Sequence, residues 1–520
     1  MSFWGILAFP HPPQRSRSRA TRTVSVESAS GRCHNIQGRD LQAIANGSQT
    51  MGVEYDWVVV GDSTAGMRAA SVAAGWGARV ALILPPQSVW AEVQTSQIAL
   101  EQLQRLTRER ERSHAWGVAA TSGIDRHRVW RICREITENL QALRSPAGLA
   151  MQGIDVIVGE VDFLTQPQLT AIAAERKFPS RAYLLAPSAK PTIPPIQGLE
   201  DTAYYDLTTL EKLLHSELPP RIAVVGNDTH AVSVARTFAW LGVDVALLTE
   251  ASQVLPKEDP QMARLVRAHL EACGVTVLTR TPVLQARRIQ DTTWLQAGDR
   301  ALETDAVVVA AGWEAQTREI DWKALGIRRQ GHRVRTNPRL QTTNPQIYAC
   351  GSVLGGYNDP ELARYEGDIA TKNALFLPLW NADYHTFPRV LAIEPHLAAV
   401  GLTEPQAKRR LGDRLVVLTC PFYRLASAQR QDDRSGFGKL LVSPDGNLLG
   451  AHFLGARAPA LVEAIALLMS QNRSIEALAS LHSPDTEVFS YFLTEWRDVW
   501  RHQHPRLRNL LQAWFDWRRD

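Results

Sequence analysis

The stretch DWVVVGDSTAGMRAASVAAGWGARVALIL, residues 56–84, decides the fold. Apolar runs at residues 57–60 and 79–84 predict two buried strands, and the Ala-rich run at 64–76 between them predicts a helix. Continuous apolar strands joined through a helix are typical of a parallel sheet that is covered on both faces. The stretch therefore predicts a strand–turn–helix–strand unit of an α/β domain.

The same order recurs in RIAVVGNDTHAVSVARTFAWLGVDVALLTE, residues 221–250. The two units begin about 165 residues apart, a spacing too long for a solenoid repeat, so we expect two Rossmann-like dinucleotide-binding domains. Further along, GFGKLLVSPDGNLLGAHFLG predicts a hairpin around Asp445 and Gly446. That hairpin indicates an antiparallel sheet and hence a separate α+β domain.

Length and composition indicate a globular protein of several domains. Of the 520 residues, 45% are hydrophobic and 21% are charged, and the net charge of +4 gives no case for nucleic acid as a partner. No apolar run is long enough to predict a membrane-spanning helix. The cysteines are too far apart for a metal or redox motif, so we expect reduced, buried thiols and no metal site. They are Cys33, Cys133, Cys273, Cys350 and Cys420.

Residues 1–50 differ from the rest of the chain. The run HPPQRSRSRATRTVSVESASGR is rich in Arg and Ser, with no acidic residue before Glu27 and no apolar periodicity, so we expect disorder. Two interpretations fit this composition. A transit peptide would place the protein in a plastid or another organelle. An upstream extension before a true start at Met51, which we favour, would leave it in the cytoplasm.

Ten short motifs follow one another along the chain: GDSTAG, LLAPSAKPTIPPIQGL, GNDTHA, VVVAAGW, TTNPQIYACGSV, ARYEG, AAVGLTEPQA, GFGKLLV, LGAHFLGA and HSPDTE. Through them, residues 55–490 resemble the class I flavoprotein disulfide reductases, such as dihydrolipoamide dehydrogenase, glutathione reductase and mercuric reductase. The resemblance implies an α/β fold in which an FAD-type domain is interrupted by an NAD(P)-type domain and followed by an α+β dimerisation domain that forms a homodimer.

The expected segments follow from that resemblance. They are a disordered extension or transit segment (1–50), the two parts of the FAD-type domain (51–205 and 319–384), the NAD(P)-type domain (206–318), the dimerisation domain (385–495) and a basic, Trp-rich helical tail (496–520).

The family's first glycine motif, G-x-G-x-x-G, binds FAD and is altered in this chain. Gly61, Ser63 and Gly66 occupy its three positions, and Ser63 can still offer a hydroxyl to a phosphate. Asp62 would repel a diphosphate unless it turned towards solvent. Leu84 stands where the family has an acid for the ribose hydroxyls.

Two further FAD markers are also altered. Ala186 keeps the first residue of the family's Ala-Thr-Gly turn, while Pro187 and Ser188 replace the other two. Gly351 is kept, and Ser352 replaces the acid that follows it in the family. A serine can still hydrogen-bond a ribityl hydroxyl without the charge, so FAD remains the expected cofactor.

The second glycine motif departs further from the family. Gly226, Asp228 and Ala231 stand where three glycines are expected, and an acid at the middle position blocks and repels nucleotide phosphates. Thr249 takes the ribose-acid position, with Glu250 after it. Two interpretations remain open: this domain binds NAD(P)H, or it is kept only for packing.

The family's redox disulfide is missing. Its members carry two cysteines five residues apart on the helix after the second strand, whereas Ala91 and Ser96 are the counterparts here and no cysteine lies between residues 34 and 132. A disulfide relay needs an attacking thiolate and a leaving sulfur, so we expect no disulfide reductase activity.

One catalytic motif of the family is kept. His482 and Glu487 match its His-x-x-x-x-Glu, in which the Glu orients a His that acts as acid or base across the dimer interface. An interface hydrogen-bonding pair without a catalytic role is the alternative.

The tail is basic, with six Arg and three Asp from Trp496 onward. After Pro505 its apolar residues fall on one helical face with arginines at the flanks: Leu507, Leu510, Leu511, Trp514 and Trp517. Residues 506–520 could lie on an anionic membrane surface or pack against their own dimer.

We therefore expect an FAD-dependent oxidoreductase that passes electrons from NAD(P)H through the flavin to a small non-disulfide acceptor. The alternative is a catalytically inactive dimeric scaffold or regulatory protein with degenerate nucleotide sites. Bound FAD would separate these two functions.

Overall fold

The structure, a computed structural model, describes residues 53–118, 123–317 and 320–519. The interpretations of residues 1–50 lie outside the described residues. The first sheet has five parallel strands, in the spatial order Ile347–Ala349, Tyr183–Leu185, Trp57–Val60, Val80–Leu84 and Ile154–Val158. The strand that opens the stretch at residues 56–84 is therefore central in this sheet.

The strand–turn–helix–strand unit at residues 56–84 is confirmed. All four residues of strand Trp57–Val60 are buried, as expected for the centre of a parallel sheet. Helix Thr64–Gly75 follows, and its apolar face packs on the strands. Gly61 makes the turn between them with φ of +122°, and a Cβ at this position would collide with the carbonyl of Ala186. Glycine is required there.

The second unit is built in the same way. Its parallel sheet has the spatial order Thr276–Leu278, Asp244–Leu248, Arg221–Gly226, Ala306–Ala310 and Tyr204–Tyr205. The helices Thr229–Trp240 and Pro260–Ala272 connect its strands. An antiparallel sheet shares a buried apolar cluster with it and has the strands Val283–Ile289, Thr292–Ala297 and Arg300–Thr304. Two Rossmann-like units are therefore present, as predicted.

The C-terminal part forms an antiparallel sheet with helices, as predicted. Its spatial order is Arg389–Leu391, Leu397–Gly401, Leu448–Leu454, Phe437–Val442 and Val416–Pro421. The expected hairpin joins Phe437–Val442 to Leu448–Leu454, with Gly446 at φ of +84°. The helices Ala458–Ser470 and Glu487–Gln503 bury Phe453, Phe489 and Phe492 against the sheet.

The charged sequence at about residues 96–145 predicts a helical stretch, and the structure has two helices there, Trp90–Ala115 and Arg126–Leu143. We call Trp90–Ala115 the long helix. Leu100 and Leu103 of the long helix share one buried cluster with Val234 and Phe238 of the second unit. The long helix therefore joins the first unit to the second, and a site between the two units has one wall made by this helix.

Shorter elements complete the fold. The helices are Pro146–Ala150, Leu210–His215, Pro360–Leu375, Glu404–Leu411, Ala426–Arg430 and Pro505–Arg519, and the strands are Asp162–Leu164, Thr170–Ala173, Arg176–Pro179, Ala189–Pro191, Trp313–Ala315, Arg329–Gln330 and Arg333–Val334.

Candidate functional site

A cavity of about 650 Å³ lies between the long helix, the start of helix Thr229–Trp240 and residues 352–360. Its walls are mixed in polarity. The long helix contributes Gln94, Gln97, Leu100 and Glu101, and no described lining residue is a cysteine. The helix that carries the redox thiols in the resembling family thus presents amide and carboxyl groups here.

The two residues that replace the thiols do not make a reactive pair. Ser96 is buried, and Ala91 accepts a hydrogen bond at its carbonyl from Thr95 Oγ1, 2.8 Å away. Burial raises the pKa of Cys133 to about 11 and that of Cys420 to about 12. Both thiols are therefore protonated at neutral pH, which makes them poor nucleophiles.

The first turn, residues 61–66, is the predicted FAD phosphate site. Ser63 begins helix Thr64–Gly75, and its hydroxyl accepts a hydrogen bond from the Gly66 N–H at 3.2 Å. Asp62 does not turn towards solvent: it is buried, and its carboxylate accepts a hydrogen bond from the Ser88 hydroxyl. Its second carboxylate oxygen, Oδ1, is buried and has no partner among the described residues.

A cation lies beside that turn. Arg144 donates a hydrogen bond to the Asp62 carbonyl at 2.6 Å, and its guanidinium lies 4.0 Å from the ring centre of Trp90. Burial lowers the pKa of Arg144 to about 10, against the opposite effect of the Asp62 carboxylate, so the side chain stays charged at neutral pH. A positive charge here offsets the repulsion that Asp62 would exert on a diphosphate.

The other predicted FAD markers meet at the carboxyl ends of neighbouring strands. Ser352 donates to the Pro187 carbonyl at 2.8 Å, which joins the Gly351 turn to the turn after Ala186. Ser188 Oγ is buried without a partner among the described residues. The unpartnered Ser188 hydroxyl, together with Gly61, where a Cβ would collide with the Ala186 carbonyl, fits FAD, which these residues would hold. Leu84 packs in the core and offers no hydrogen bond to a ribose.

Glu366 supports the same turn from helix Pro360–Leu375. Its carboxylate accepts hydrogen bonds from the Gly351 N–H at 2.6 Å and from the Tyr384 hydroxyl at 2.9 Å. Burial raises the pKa of Glu366 to about 7, although these two bonds act in the opposite direction. The protonation of a buried carboxyl is thus coupled to the backbone of the candidate cofactor site.

The second turn has its phosphate position filled by the chain itself. Asp228 begins helix Thr229–Trp240, and its carboxylate accepts hydrogen bonds from the N–H groups of His230 and Ala231, at 3.0 and 3.1 Å. Burial alone would raise the pKa of Asp228, but His230 and these N–H groups outweigh burial and lower it. A nucleotide diphosphate would need the same donors and would meet a charged carboxylate. The second turn therefore does not fit the diphosphate of NAD(P)H in the family's manner.

The remaining predicted residues of this turn serve packing. A Cβ at Gly226 would collide with the Ala310 carbonyl of the adjacent strand, and Ala231 is fully buried. Thr249 is buried, and its hydroxyl accepts a hydrogen bond from the Ala251 N–H at 3.1 Å. These three positions are explained by the close approach of helix and strands.

His230 connects the two sides of the cavity. One ring nitrogen, Nδ1, lies 3.3 Å from Asp228, and the other, Nε2, lies 2.8 Å from the Gln97 amide on the long helix. The ring also packs edge-on against Trp313, with ring centres 5.0 Å apart. No sequence motif indicates this chain of contacts, because 133 residues separate Gln97 from His230.

The opposite wall of the cavity is a packed charged group. Arg389 lies over the Tyr357 ring, 4.5 Å from its centre, and forms an ion pair with Glu258 at 3.3 Å. Lys257 donates a hydrogen bond to the Gly356 carbonyl. These contacts fix the wall formed by residues 356–360 and leave the cavity with both signs of charge.

The predicted pair His482 and Glu487 is not joined by a hydrogen bond within the described residues. Glu487 instead accepts hydrogen bonds from the N–H groups of Ala426 and Ser427, at 3.0 and 2.7 Å. His482 is exposed. In this chain Glu487 orients the short helix Ala426–Arg430 rather than His482, and a catalytic role for His482 remains a prediction.

Comparison with known proteins gives one family. The model of the pyridine nucleotide-disulphide oxidoreductases matches residues 55–367, and the model of their dimerisation domain matches residues 387–484. A mercuric reductase from Staphylococcus aureus is 29% identical over 339 residues, 64% of this chain and 61% of that protein. A dihydrolipoyl dehydrogenase from Bacillus subtilis is 27% identical over 322 residues, 61% of this chain and 69% of that protein. The chain thus spans about six tenths of the mercuric reductase.

A solved structure supports the same fold. The HOCl-induced flavoprotein disulfide reductase RclA from Escherichia coli superposes with a TM-score of 0.72, covering 85% of this chain and 99% of that one at 24% identity. The predicted fold class, two Rossmann-like units followed by a dimerisation domain, is confirmed.

Proposed function

The chain belongs to the pyridine nucleotide-disulphide oxidoreductase family, and from this membership we propose that it is an oxidoreductase that passes electrons from FAD to a small acceptor other than a disulfide. FAD and NAD(P)H are the cofactors that the family uses. The dimerisation domain indicates a homodimer.

One observation carries the proposal. The long helix presents Gln94, Gln97 and Glu101 to the cavity, and no described lining residue is a cysteine. Without two sulfurs beside the cofactor, electrons have no thiol carrier, so they must pass directly to whatever occupies the cavity. Its 650 Å³ volume suits a small molecule rather than a protein disulfide.

FAD, when bound, supplies the exchange of a hydride equivalent. The chain's own residues would do the rest. The start of helix Thr64–Gly75 and the turn at Gly351 would hold the cofactor. His230, fixed between Asp228 and Gln97, can hold or release a proton at the cavity surface. A quinone-like acceptor needs a hydride equivalent and a proton together, and it is the acceptor class that we propose.

An absorption spectrum of the purified full-length protein, before and after incubation with excess FAD, tests the cofactor. We expect a bound flavin. Anaerobic reduction with dithionite, followed by addition of a benzoquinone or of a disulfide such as lipoamide, tests the acceptor. Rapid reoxidation by the quinone and none by the disulfide is the expected result. A protein that stays colourless with FAD, or that reduces lipoamide, would contradict the proposal.

A catalytically inactive dimeric scaffold or regulatory protein is the second candidate function, and Asp228 favours it. Its carboxylate occupies the donors that a pyridine nucleotide would use. Calorimetric titration with FAD, NADH and NADPH separates the two functions. Binding of none of them supports the scaffold, whereas tight FAD binding and bleaching of the flavin by NAD(P)H would exclude it.

A further inference from the structure

We propose that the C-terminal helix, Pro505–Arg519, docks this protein on the surface of an anionic lipid bilayer. The described large apolar side chains of this helix are all exposed to solvent: Leu510 68%, Leu511 41%, Trp514 52%, Phe515 52% and Trp517 68%. Apolar side chains gathered in this way on one short helix mark an interaction surface rather than scattered surface residues.

The apolar residues of the helix lie mainly on one side of its axis, where Arg518 of the last turn also lies. At 3.6 residues per turn, positions 510, 511, 514 and 517 fall on one face, and Asn509, Gln512 and Asp516 fall on the opposite face. The rings of Trp514 and Trp517 lie 5.1 Å apart and make the apolar face aromatic. Indole rings favour the boundary between lipid headgroups and acyl chains.

The charge of the helix complements an anionic surface. Four Arg and one Asp lie within residues 505–519, and Asp516 is already paired with Arg519 at 3.0 Å. Each basic residue close to a negatively charged leaflet adds to its attraction, and the attraction falls with ionic strength. An acidic protein surface would satisfy the charges but would leave the Trp-rich face without apolar contact.

The helix is suited to lie on a bilayer and not to cross it. Fifteen residues span about 22 Å, which is less than the roughly 30 Å of a hydrocarbon core. Among the described residues, no helix has both the length and the apolar character to traverse a bilayer. An amphipathic helix of this kind binds in the plane of the interface, with its apolar face inserted.

The segment that matches the dimerisation model does not include this face. The segment matching the dimerisation model ends at residue 484, before the C-terminal helix begins. Helix Glu487–Gln503 intervenes and buries Phe489, Phe492 and Trp496 in the C-terminal core. That helix ends at Gln503, and Pro505 begins the next. The C-terminal helix therefore adds a surface beyond the segment that matches the family's dimerisation domain.

Flotation of the full-length protein with vesicles tests the proposal. The vesicles contain phosphatidylcholine alone or phosphatidylcholine mixed with phosphatidylglycerol. The variant Leu511→Glu/Trp514→Glu places two charges on the apolar face, and because both side chains are exposed the folded core is untouched. The matched control Asn509→Glu/Gln512→Glu places two identical charges on the polar face. Circular dichroism confirms that each variant is folded.

We expect the wild-type protein to float with the mixed vesicles, less with phosphatidylcholine alone, and less as salt is raised. The apolar-face variant should lose at least tenfold in bound fraction, and the matched control should retain most of its binding. Equal loss of vesicle binding in both variants would show that the added negative charge, and not the apolar face, causes the loss. That result would overturn the proposal. Absence of flotation by the wild-type protein would overturn it as well. Sedimentation velocity without vesicles tests whether the apolar face instead binds a second copy of this chain. A smaller assembly for the apolar-face variant alone would assign this face to self-association and overturn the proposal.

Discussion

Lys439 Nζ lies 2.7 Å from a carboxylate oxygen of Asp259, and both side chains are buried. Lys439 lies in the C-terminal antiparallel sheet, whereas Asp259 begins helix Pro260–Ala272 of the second unit. The same carboxylate accepts a hydrogen bond from the Glu404 N–H at 2.9 Å. A fully buried charge pair therefore joins two parts of the chain that are distant in sequence.

Replacement of Lys439 by Met should lower the free energy of unfolding by about 3–5 kcal/mol, because Asp259 would remain buried without its counter-ion. Urea unfolding at neutral pH measures the change. Lys408→Met is the control, since Lys408 pairs with Glu404 at the surface, and it should cost less than about 1 kcal/mol. A Lys439→Met variant as stable as the wild-type protein would contradict the importance of the pair.

The same pair should be sensitive to acid. Burial alone would raise the pKa of Asp259, but His452, Lys439 and the Glu404 N–H outweigh burial and lower it. A carboxyl whose pKa is lower in the folded state than in the unfolded chain stabilises the fold at pH values above its unfolded pKa. This stabilisation is lost as pH falls through the folded pKa. The difference in stability between wild type and Lys439→Met should therefore shrink below about pH 4. Unfolding curves at acidic and neutral pH compare the two, and a constant difference would count against this coupling.

Asp228→Gly should tighten the binding of NADH or NADPH at least tenfold, because it frees two N–H donors and removes a charge that opposes the diphosphate. Fluorescence titration of the reduced nucleotide measures the affinity. Asp228→Asn keeps the side-chain cap while removing the charge, so it should give an intermediate affinity. Equal affinity in all three proteins would show that Asp228 does not limit nucleotide binding.

Glu366→Gln should change how stability depends on pH. Burial raises the pKa of Glu366 to about 7, so its neutral form stabilises the fold at low pH and that contribution is lost as pH rises through about 7. Between about pH 4.5 and 8 the wild-type protein should lose about 3 kcal/mol relative to the variant. Urea unfolding across this range measures it. Glu361→Gln replaces an exposed side chain on the same helix, so the stability of this control should depend on pH as that of the wild type does. A Glu366→Gln variant with the same pH dependence as the wild type would refute the raised pKa of Glu366.

Glu487→Ala should cost about 1–3 kcal/mol, since it removes the acceptor for two backbone N–H groups at the start of a short helix. His482→Gln should change stability by less than about 0.5 kcal/mol, because His482 is exposed. Thermal unfolding compares the variants. Should His482→Gln nevertheless reduce quinone turnover, His482 would act in catalysis independently of stability. Similar losses of stability in both variants would indicate that the two side chains act as one pair in the dimer.

Much of the fold could be predicted because its signals are local. The strand at residues 57–60, the Gly61 turn and the hairpin at Gly446 each depend on apolar runs and on glycine at a turn, and all three are observed. The helical stretch predicted at residues 96–145 missed the start of the long helix at Trp90 and the break after Ala115, although Gly117 stands at that break with φ of +76°. Local periodicity therefore gave the elements and not all of their ends.

The candidate site could be predicted less well, because its contacts are long-range. The motif left the orientation of Asp62 open, and it is Ser88 and Arg144, from later parts of the chain, that enclose this residue. The motif alone marked Asp228 as an obstacle to nucleotide and did not reveal that it holds His230 against Gln97. Which residue faces another across a cavity depends on how the units pack, and no short motif records it.

The glutamine-lined face of the long helix also affects which poisons can act at this cavity. Arsenite, gold and mercuric ions inhibit vicinal dithiols by bridging two sulfurs, and the described walls offer these soft metals no sulfur ligand. Hydrogen peroxide likewise finds no low-pKa thiolate there to oxidise. On the proposed function, electron transfer at this cavity should therefore continue under heavy-metal or oxidative stress that inhibits dithiol enzymes of the same fold.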